Sequence, residues 1–582
     1  MKKAIAKTRL LLAPVVLTLW LAATAYAAAP GVTAAGGGGI GTFNLQAQQA
    51  YLNQPDGEAV YSWGYGCLTT TATFVPAAIA TPVGGCPTMQ VPGPTLVVTE
   101  GSTVTVNLTN NLPAAAGNTS ILFPGFLLTS TCPNTAANPQ GLLTCEAAPG
   151  QTVTYTFTAT APGTHPYYSG TQGDLQIEMG MYGAVIVLPA TVPANCTTGY
   201  HALNLQAKAH WGEADFRLSQ AAYDHPASCY DREYLFQWAE MDSRIHKQAE
   251  AQVAARAGCT AGTAGCSIDV QTEPYHPAYF LINGRSMPDL MDPNYASEYP
   301  HQPYNGNPHT HPGELLLIRT IGQGRWQHPF HEHANHVRIL ARDGNLELSA
   351  STTPISYSTP GGTAVSGPGL SGLLMFNTDT TPGESFDGIF YYTGRGLNWD
   401  PFGHFPGPDV GTGNDPLAHL TCTPDANGYN TGDPTAVNFF EWCQDHNKPV
   451  QVAPFGDVPG GGPATFPDPN VFTNGAWYGG TPYLGPDASL RAGATQACVG
   501  SPYGTPNPTT PSGGAGTPPV NTANCTPLQP ANVQANPANE RGWAFMWHSH
   551  NEREITTNNV FPGGMLMMLL VDTREFVIDE SL

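Results

Sequence analysis

The sequence predicts an all-β protein made of two β-sandwich domains, the second of which carries long loop insertions. From residue 42 onward, short β-rich runs are broken by Gly, Pro and Asn; three such runs are 102–107, 151–157 and 182–188. Many short strands with frequent turn signals are typical of sandwiches and barrels. The chain of 582 residues is long enough for two or more domains with sizeable cores.

A faint internal repeat indicates that the two domains are related. The matching pairs of segments are 97–108 with 312–319, and 161–187 with 541–569. Similar segments in the same order indicate that one structural unit occurs twice. We therefore predict a first domain over residues 28–190 and a second domain over residues 195–582.

The second domain is too long for a single sandwich, so we predict insertions at about 208–272 and 405–538. The first insertion contains a helix candidate over 239–256, with Asp242 or Ser243 as its N-cap. The second is rich in Gly, Pro, Thr and Asn and holds four cysteines. We interpret it as a disulfide-tied surface insertion, since loops of this length are usually functional or disordered.

The N-terminus has the pattern of a secretory signal peptide over residues 1–27. A basic start is followed by an apolar run, 10–23, and by the small-residue cleavage pattern Ala25-Tyr26-Ala27. No later apolar run approaches the roughly 20 residues that span a bilayer. We therefore expect a secreted or periplasmic bacterial protein without a membrane span.

The twelve cysteines form an even set, which fits an oxidising compartment. They fall as near neighbours along the chain, so each neighbouring pair is a candidate disulfide. The six predicted disulfides are Cys67–Cys86, Cys132–Cys145, Cys196–Cys229, Cys259–Cys266, Cys422–Cys443 and Cys498–Cys525. None of these cysteines lies beside the histidine motifs of the chain, so no thiolate is expected there.

Two segments rich in histidine are predicted to face each other on neighbouring strands. Side chains alternate between the two faces of a strand, so His331 and His333 share one face of the first strand. By the same parity, His548 and His550 share one face of the second. Four converging imidazoles suit a borderline or soft divalent metal such as copper or zinc. The alternative is that all four are structural histidines.

Three other histidines follow these motifs or repeat their spacing. His336 lies three residues beyond His333, so strand parity turns it away from the others; a bend after Ala334 would bring it back as a further ligand. His309 and His311 form another His-x-His pair, but prolines flank it. We interpret that pair as a surface loop rather than as metal ligands.

These motifs resemble a known family. His-Pro-Phe-His-Glu-His at 328–333, His-Ser-His at 548–550 and Gly-Met at 564–565 resemble the histidine motifs in the last cupredoxin domain of multicopper oxidases. Segments 92–98 and 161–164 are similar to the first domain of that family. The resemblance implies two cupredoxin-like Greek-key sandwiches. In that family a blue copper accepts electrons from substrate, and a three-copper cluster reduces oxygen to water.

Carried over residue by residue, the resemblance makes His328 a ligand of the blue copper. The ligands of the three-copper cluster would be His331, His333, His548 and His550.

Several positions depart from the family pattern. The blue-copper cysteine is replaced by Ser549, the second blue-copper histidine falls at Glu554, and the axial methionine position is Asn559. A blue-copper site needs a thiolate, which a serine hydroxyl cannot supply. In the first domain the expected His-x-His pairs read Leu-Phe-Pro at 122–124 and Tyr-Ser-Gly at 168–170, so eight expected imidazoles become four.

Strand parity makes His328 face away from the four histidines, towards the place where the family has its blue copper. Glu554, at the position of the second blue-copper histidine, is expected near His328. Imidazole and carboxylate groups together form a ligand set hard enough to bind manganese, iron or zinc. The alternative is that Glu554 is a solvated carboxylate.

The sequence therefore predicts an exported, copper-binding protein similar to multicopper oxidases, with a reduced, mostly mononuclear histidine site, acting as a metal-dependent oxidoreductase. The alternative is a non-catalytic extracellular metal-binding or structural protein on the same scaffold, since fold does not guarantee function. A laccase-like oxidase would need the missing thiolate. The net charge of −22 argues against nucleic acid as a partner. The resemblance implies a homotrimer, with a metal ion as the other partner.

Overall fold

The structure is a computed structural model that describes residues 28–34, 40–79, 81–132, 139–359, 361–392, 405–406, 419–420, 423–426, 428–436, 438–442, 480–483, 542–572, 574 and 576–580. The predicted signal peptide and most of the predicted 405–538 insertion lie outside these residues. The predicted pairs Cys422–Cys443 and Cys498–Cys525 also lie outside them.

The first half of the chain folds mainly into strands, as its runs of β-branched and aromatic residues predict. The strands are β1 Gly31–Thr33, β2 Ile40–Asn53, β3 Ala59–Cys67, β4 Thr73–Val75, β5 Leu96–Thr99, β6 Thr103–Asn110, β7 Thr129–Thr131, β8 Thr152–Thr158, β9 Gly163–Tyr168 and β10 Tyr182–Leu188. The short helix α1 spans Gly173–Gln176, and single 3-10 turns span Ala114–Ala116 and Ala194–Thr197.

These strands form two sheets with a common core. The strand order is β4-β1-β5-β10-β9 in one sheet and β3-β2-β6-β8-β7 in the other. In β6, Val104, Val106 and Leu108 are buried while the residues between them are partly exposed, which is the period of two expected for a strand with one buried face. They share the core with Val185 and Val187 of the opposite sheet.

The second half also consists mainly of strands: β11 Arg232–Met241, β12 Tyr279–Ile282, β13 His309–Thr310, β14 Leu316–Gly322, β15 Pro329–Glu332, β16 Val337–Arg342, β17 Asn345–Leu346, β18 Ile355–Tyr357, β19 Val365–Gly367, β20 Leu374–Met375, β21 Asn377–Asp379, β22 Ser385–Phe390, β23 Phe405–Pro406, β24 His419–Leu420, β25 Gly480–Tyr483, β26 Gly542–Ser549 and β27 Leu566–Asp572. The helices are α2 Tyr200–Trp211 and α3 Ser243–Ala255, with a 3-10 turn at Asp289–Met291.

A second pair of sheets results. One has the order β12-β11-β14-β22-β16-β17, with β20 beside β16, and the other has the order β13-β27-β26-β15-β21, with β25 beside β26. Their shared core is aromatic, because Phe236 and Trp238 of one sheet meet Phe330, Trp543 and Trp547 of the other. The predicted class, all-β with two cupredoxin-like Greek-key sandwiches, is confirmed.

The two sandwiches repeat one strand order, in agreement with the sequence repeat. In the first, β2 pairs with β3 and lies parallel to β6, which pairs with β8. In the second, β11 pairs with β12 and lies parallel to β14, which pairs with β22. The antiparallel pairs β9–β10 and β26–β27 correspond in the same way. The exact domain boundaries stay a prediction.

A core strand lies within the predicted insertion 208–272. This strand, β11, is buried along its whole length between β12 and β14. It includes residues 239–241, so the predicted helix start at residue 239 is wrong; α3 begins at Ser243 instead. The N-cap Asp242 is confirmed, since its side chain accepts a hydrogen bond of 3.0 Å from the amide of Arg244.

Disulfides close four short loops, each of which limits the freedom of the unfolded chain. The predicted pairs that are confirmed are Cys67–Cys86, Cys132–Cys145, Cys196–Cys229 and Cys259–Cys266. None of the helices in the described ranges combines the length and apolar character that crossing a membrane requires.

Candidate metal centre

The predicted histidine strands are β15 and β26, which are neighbours in one sheet. They pair antiparallel, with His331 opposite His548 and Phe330 opposite Ser549. Phe330 and Trp547 belong to the aromatic core, so the pleat turns the histidines of both strands to the other face. Burial of the aromatic side chains therefore fixes which face carries the imidazoles.

Four imidazole rings meet on this face, and we call them the histidine cluster. The ring centroid of His331 lies 4.7 Å from that of His333, 5.4 Å from that of His548 and 5.0 Å from that of His550. The rings of His333 and His548 are 5.3 Å apart, and their Nε2 atoms are separated by 3.3 Å. The structure thus brings together all four histidines that strand parity placed on one face.

Three of the four rings have the geometry of a metal-binding group. One nitrogen from each of His331, His333 and His548 lies within 4.8 Å of the other two. Two nitrogens bound to one ion at about 2.0–2.1 Å, at a tetrahedral angle, are roughly 3.3 Å apart. The Nε2 atoms of His333 and His548 have this separation. His550 lies outside the group of three, with its ring 5.8 Å from that of His548.

Backbone carbonyls orient two of the rings. The Nδ1 atom of His331 lies 2.5 Å from the carbonyl oxygen of Phe376, and the Nδ1 atom of His548 lies 2.7 Å from that of Ser549. A carbonyl oxygen can only accept a hydrogen bond, so each Nδ1 carries the proton and each Nε2 keeps a lone pair. Such bonds fix the tautomer of histidines that ligate metals.

The surroundings of His331 and His548 favour neutral imidazoles. Burial, with the neighbouring rings acting in the same direction, lowers the pKa of His331 to about 4, although its bond to the Phe376 carbonyl opposes the shift. Burial also lowers the pKa of His548. Both rings are therefore neutral at physiological pH, and neutral imidazole is the form that binds a metal ion.

The cluster is open to solvent on one side. His550 is exposed, His331 and His333 are half-buried, and His548 is 9% exposed. The exposed ring of Phe376 packs against His331, with 5.9 Å between centroids, and forms part of the rim. A small molecule in solution can therefore reach this face.

His336 lies beside the histidine cluster rather than in it. The chain bends between β15 and β16 at Ala334, whose φ is +86°. The bend places the ring of His336 against Phe376 at 4.8 Å, next to His331. His336 is not among the three residues whose nitrogens converge, so its role as a ligand stays a prediction.

On the opposite side of the sheet, His328 is buried between two carboxylates. Its Nε2 atom lies 2.8 Å from Oε2 of Glu240, and its Nδ1 atom lies 2.9 Å from Oε2 of Glu554. The same oxygen of Glu554 accepts a 2.5 Å hydrogen bond from the hydroxyl of Ser549. All four residues are at most 1% exposed, so Glu554 is not a solvated carboxylate.

The two carboxylates favour the charged form of His328. Burial alone would lower the pKa of this imidazole, but the hydrogen bonds and charges of Glu240 and Glu554 outweigh burial and raise it to about 9. His328 is therefore positively charged at neutral pH, in contrast to His331 on the other face.

Glu240 is a site residue that sequence reasoning missed. It lies in β11, 88 residues before His328, in a stretch predicted to begin a helix. Its other oxygen accepts hydrogen bonds from the amides of Arg325 (2.7 Å) and Trp326 (2.9 Å) and from the hydroxyl of Tyr275 (3.1 Å). A signal was present in the sequence, because a carboxylate in an apolar run is rarely buried without partners.

The third His-x-His pair is buried, so its prediction as a surface loop is wrong. His309 lies in β13, which pairs with β27, and His311 follows directly; both are at most 2% exposed. The Nδ1 atom of His309 lies 2.5 Å from Oδ2 of Asp572, and the Nε2 atom of His311 lies 2.8 Å from Oε2 of Glu213. The flanking prolines limit the strand to two residues but do not exclude it from the sheet.

The corresponding place in the first sandwich carries no imidazoles. Leu122 pairs with Tyr168 there, as His331 pairs with His548 in the second sandwich. At Gly170 an added Cβ would lie 2.8 Å from the side chain of Leu122, so the position has no room for a larger residue. A leucine and a tyrosine stand where two of the histidines stand in the second sandwich.

Comparison with known proteins shows which family part of the chain resembles. Residues 86–191 match the family model of multicopper oxidases. An L-ascorbate oxidase from Brassica rapa subsp. pekinensis is 40% identical over 99 residues, and Laccase-3 from Botryotinia fuckeliana is 35% identical over 117 residues. Part of the chain is therefore similar to multicopper oxidases.

The matches cover only part of each protein. The ascorbate oxidase alignment covers 17% of this chain and 16% of the relative, and the laccase alignment covers 19% of this chain and 24% of the relative. The chain thus spans less than a quarter of the length of these relatives. The solved blue copper oxidase from Nitrosomonas europaea overlaps 60% of this chain and 74% of its own, at 19% identity and a TM-score of 0.33. That likeness is too distant to bear on function.

Proposed function

We propose that this protein is a copper-binding oxidoreductase, similar to multicopper oxidases, with a reduced, mononuclear histidine site and no blue copper. The observation that carries the proposal is the approach of one nitrogen each from His331, His333 and His548 to within 4.8 Å of one another. We place His550 at the open edge as a fourth ligand, because its ring lies 5.0 Å from that of His331. The family match favours copper over zinc.

The donor set fits copper. Imidazole nitrogen is a ligand that copper and zinc share, and bound copper supplies one-electron chemistry. Among the residues themselves, the carbonyl bonds at Nδ1 of His331 and His548 leave Nε2 directed at the common point. The rings are neutral without help from the metal, so binding needs no prior loss of a proton from His331 or His548.

The missing blue copper determines where electrons are delivered. Ser549 and Glu554 stand at two of its ligand positions, and neither supplies a thiolate or an imidazole. A donor therefore has to transfer its electron at the histidine cluster itself, whose open side presents the exposed His550. We propose small soluble donors, such as phenols or the reduced ions Cu(I), Fe(II) and Mn(II), as the substrate class.

A second candidate is a non-catalytic metal-binding protein on the same scaffold. It is favoured by the first sandwich, where Leu122 and Gly170 occupy the place of the family's other histidine pairs. Half of the usual imidazoles can hold an ion without completing a three-copper cluster.

Metal analysis combined with electron paramagnetic resonance on the purified protein separates the two candidates. An enzyme binds copper and oxidises a phenol, Cu(I), Fe(II) or Mn(II), and His548→Ala abolishes this turnover. A binding protein holds the metal and turns over none of these donors. A wild-type protein that binds no copper from solution rules out the first candidate, and one that binds no divalent transition metal rules out both.

We also propose that the protein is exported and that it assembles as a homotrimer. Export is supported by the signal-peptide pattern of residues 1–27 and by the four disulfides, which persist in oxidising compartments. The trimer is inferred from the family resemblance. N-terminal sequencing of the mature protein and light scattering test the two proposals.

A further inference from the structure

Behind the histidine cluster, where the resemblance places a blue copper, buried side chains form a connected set of hydrogen bonds. We call this set the second-domain lock; its members are Glu240, His328, Ser549 and Glu554. We propose that the lock holds a proton in place of a metal ion, with His328 as an imidazolium between two carboxylates, and that it positions the strand end carrying His548 and His550. The proposal rests on the proposed function only in taking the histidine cluster as the metal site.

Both ring nitrogens of His328 face an acceptor. An ionised carboxylate can only accept a hydrogen bond, so Nε2 donates to Glu240 and Nδ1 donates to Glu554. An imidazole that donates from both nitrogens is protonated and has no lone pair for a metal ion. His328 cannot become a ligand unless one of these carboxylates is displaced.

The other contacts of the two carboxylates are with hydrogen-bond donors. Glu240 accepts from the amides of Arg325 and Trp326, and Glu554 accepts from the side-chain amide of Asn551 at 2.9 Å. Both carboxylates therefore act as acceptors towards every polar neighbour named here. One imidazolium between them compensates one of the two negative charges that burial would otherwise penalise.

The first sandwich contains the same arrangement without ionisable groups. Oε1 of Gln176 accepts hydrogen bonds from the hydroxyls of Ser169 (2.7 Å) and Thr119 (2.8 Å). Counted from the paired positions of each sandwich, Thr119 corresponds to His328 and Ser169 to Ser549. Gln176 accepts from Ser169 as Glu554 accepts from Ser549, although it lies two residues further along the chain from its serine. We call this set the first-domain lock. Its recurrence without metal ligands indicates that the position serves the fold in both sandwiches.

The second-domain lock is attached to the end of β26. The hydroxyl of Ser549 donates to Glu554 and accepts from the amide of Asn551 at 3.2 Å, so the chain turns directly after His550. The amide of His550 donates to the carbonyl oxygen of Pro329 at 2.8 Å. The second-domain lock therefore positions the histidine cluster by fixing the backbone around His548 and His550.

The first experiment uses the full chain with ¹⁵N-labelled histidine. We expect His328, assigned by the loss of its signals in His328→Gln, to show two ring N–H protons at neutral pH. Cu(II), Zn(II) and Mn(II) are then added separately to three proteins. The number of ions bound should be the same in the wild type and His328→Gln, and should fall in His548→Ala.

A single ring N–H on His328, or an ion that is lost in His328→Gln and kept in His548→Ala, would overturn the proton assignment. If the wild type binds no ion at all, the proposed function fails, whereas two ring protons on His328 still support the lock. The two failures are therefore distinguishable.

The positioning role is tested with a matched pair of variants at Glu554. Glu554→Ala removes the acceptor, and we expect copper binding at the cluster to weaken by about 10-fold to 100-fold, as loss of an outer-shell partner does, with a changed paramagnetic resonance spectrum. Glu554→Gln reproduces Gln176 of the first-domain lock and should restore the wild-type spectrum. Thermal unfolding verifies that both variants are folded.

Wild-type affinity and an unchanged spectrum in Glu554→Ala would overturn the positioning role. If that variant does not fold, Ser549→Ala removes a single hydroxyl from the same hydrogen-bonded set and carries the same expectation. Ser169→Ala, which makes the equivalent change in the first-domain lock, should leave copper binding unaffected.

Discussion

The two sandwiches share one pair of facing positions and differ in what those positions hold. Leu122 faces Tyr168 in the first, and His331 faces His548 in the second. In both sandwiches the second residue of the pair lies on the first strand of an antiparallel pair, β9–β10 or β26–β27, so this backbone arrangement does not dictate the chemistry. Only the identity of the outward side chains determines whether these facing positions carry a leucine and a tyrosine or a pair of imidazoles.

The inward side of the same strands differs much less. Ser169 and Ser549 both donate to an oxygen of the segment that follows them, which is the amide oxygen of Gln176 in one case and a carboxylate oxygen of Glu554 in the other. The comparison teaches that the inward face is similar in the two sandwiches, whereas the outward face differs in the side chains it offers to a metal ion.

The largest effect is expected from removing one outward imidazole. His548→Ala takes away one of the three converging nitrogens, so copper affinity should fall by more than about 100-fold, beyond the loss expected for an outer-shell change. Isothermal titration calorimetry measures it. Tyr168→Ala, at the corresponding place in the first sandwich, is the control and should leave copper affinity unchanged. Equal losses of affinity in both variants would contradict the distinction between the two sandwiches.

The second prediction converts the inward face into a metal site. Ser549→Cys combined with Glu554→His supplies a thiolate and an imidazole and frees Nδ1 of His328, while Glu240 still holds Nε2 as a ligand histidine requires. We expect an intense blue absorbance with Cu(II), measured by optical spectroscopy. Ser549→Cys alone should stay colourless, because Glu554 still occupies Nδ1; colour in the single variant would contradict the lock.

The third prediction concerns pH. The pKa of His328 is about 9 in the folded protein and about 6.5 when unfolded, so the protonated ring contributes about 3 kcal/mol to the free energy of unfolding. This contribution is fully present below pH 6.5 and is lost as pH rises through 9. Denaturant unfolding of the metal-free protein at several pH values measures it, and His328→Gln should flatten the dependence. The first-domain lock consists of hydroxyls and an amide, so it makes no such pH-dependent contribution to the free energy of unfolding.

The smallest effect is expected at Gly170. A methyl group there would meet the side chain of Leu122 at 2.8 Å and the hydroxyl of Ser120 at 3.1 Å, so Gly170→Ala should destabilise the protein by about 1–2 kcal/mol through overpacking. Gly173→Ala is the matched control, since its nearest contact would be 3.7 Å. Thermal unfolding compares the two, and equal melting temperatures would show that the space beside Leu122 is not filled.

Strand parity and the sequence repeat were sufficient to place the outward residues. Once Phe330 and Trp547 are assigned to the core, a period of two leaves one face for His331 and His548. The repeat also identified Tyr168 as the counterpart of His548, and the observed pairing with Leu122 agrees with it.

Partners that come from distant strands could not be predicted. Glu240 reaches His328 from β11, and the local helix pattern at residue 239 hid that strand because sheet pairing outweighs helix propensity there. The burial of His309 depends on Asp572, which lies 263 residues away. Periodicity reports which face a residue occupies, but it does not report which element covers that face.

The exposure of His550 has a practical consequence. An ion held at the edge of a protein exchanges with its surroundings, so a chelator in the buffer can remove it and an excess of another divalent ion can replace it. The metal content of the isolated protein will then depend on the last buffer that it was in. The ion that the protein prefers can therefore be identified only after the metal-free protein is reconstituted with defined metal salts.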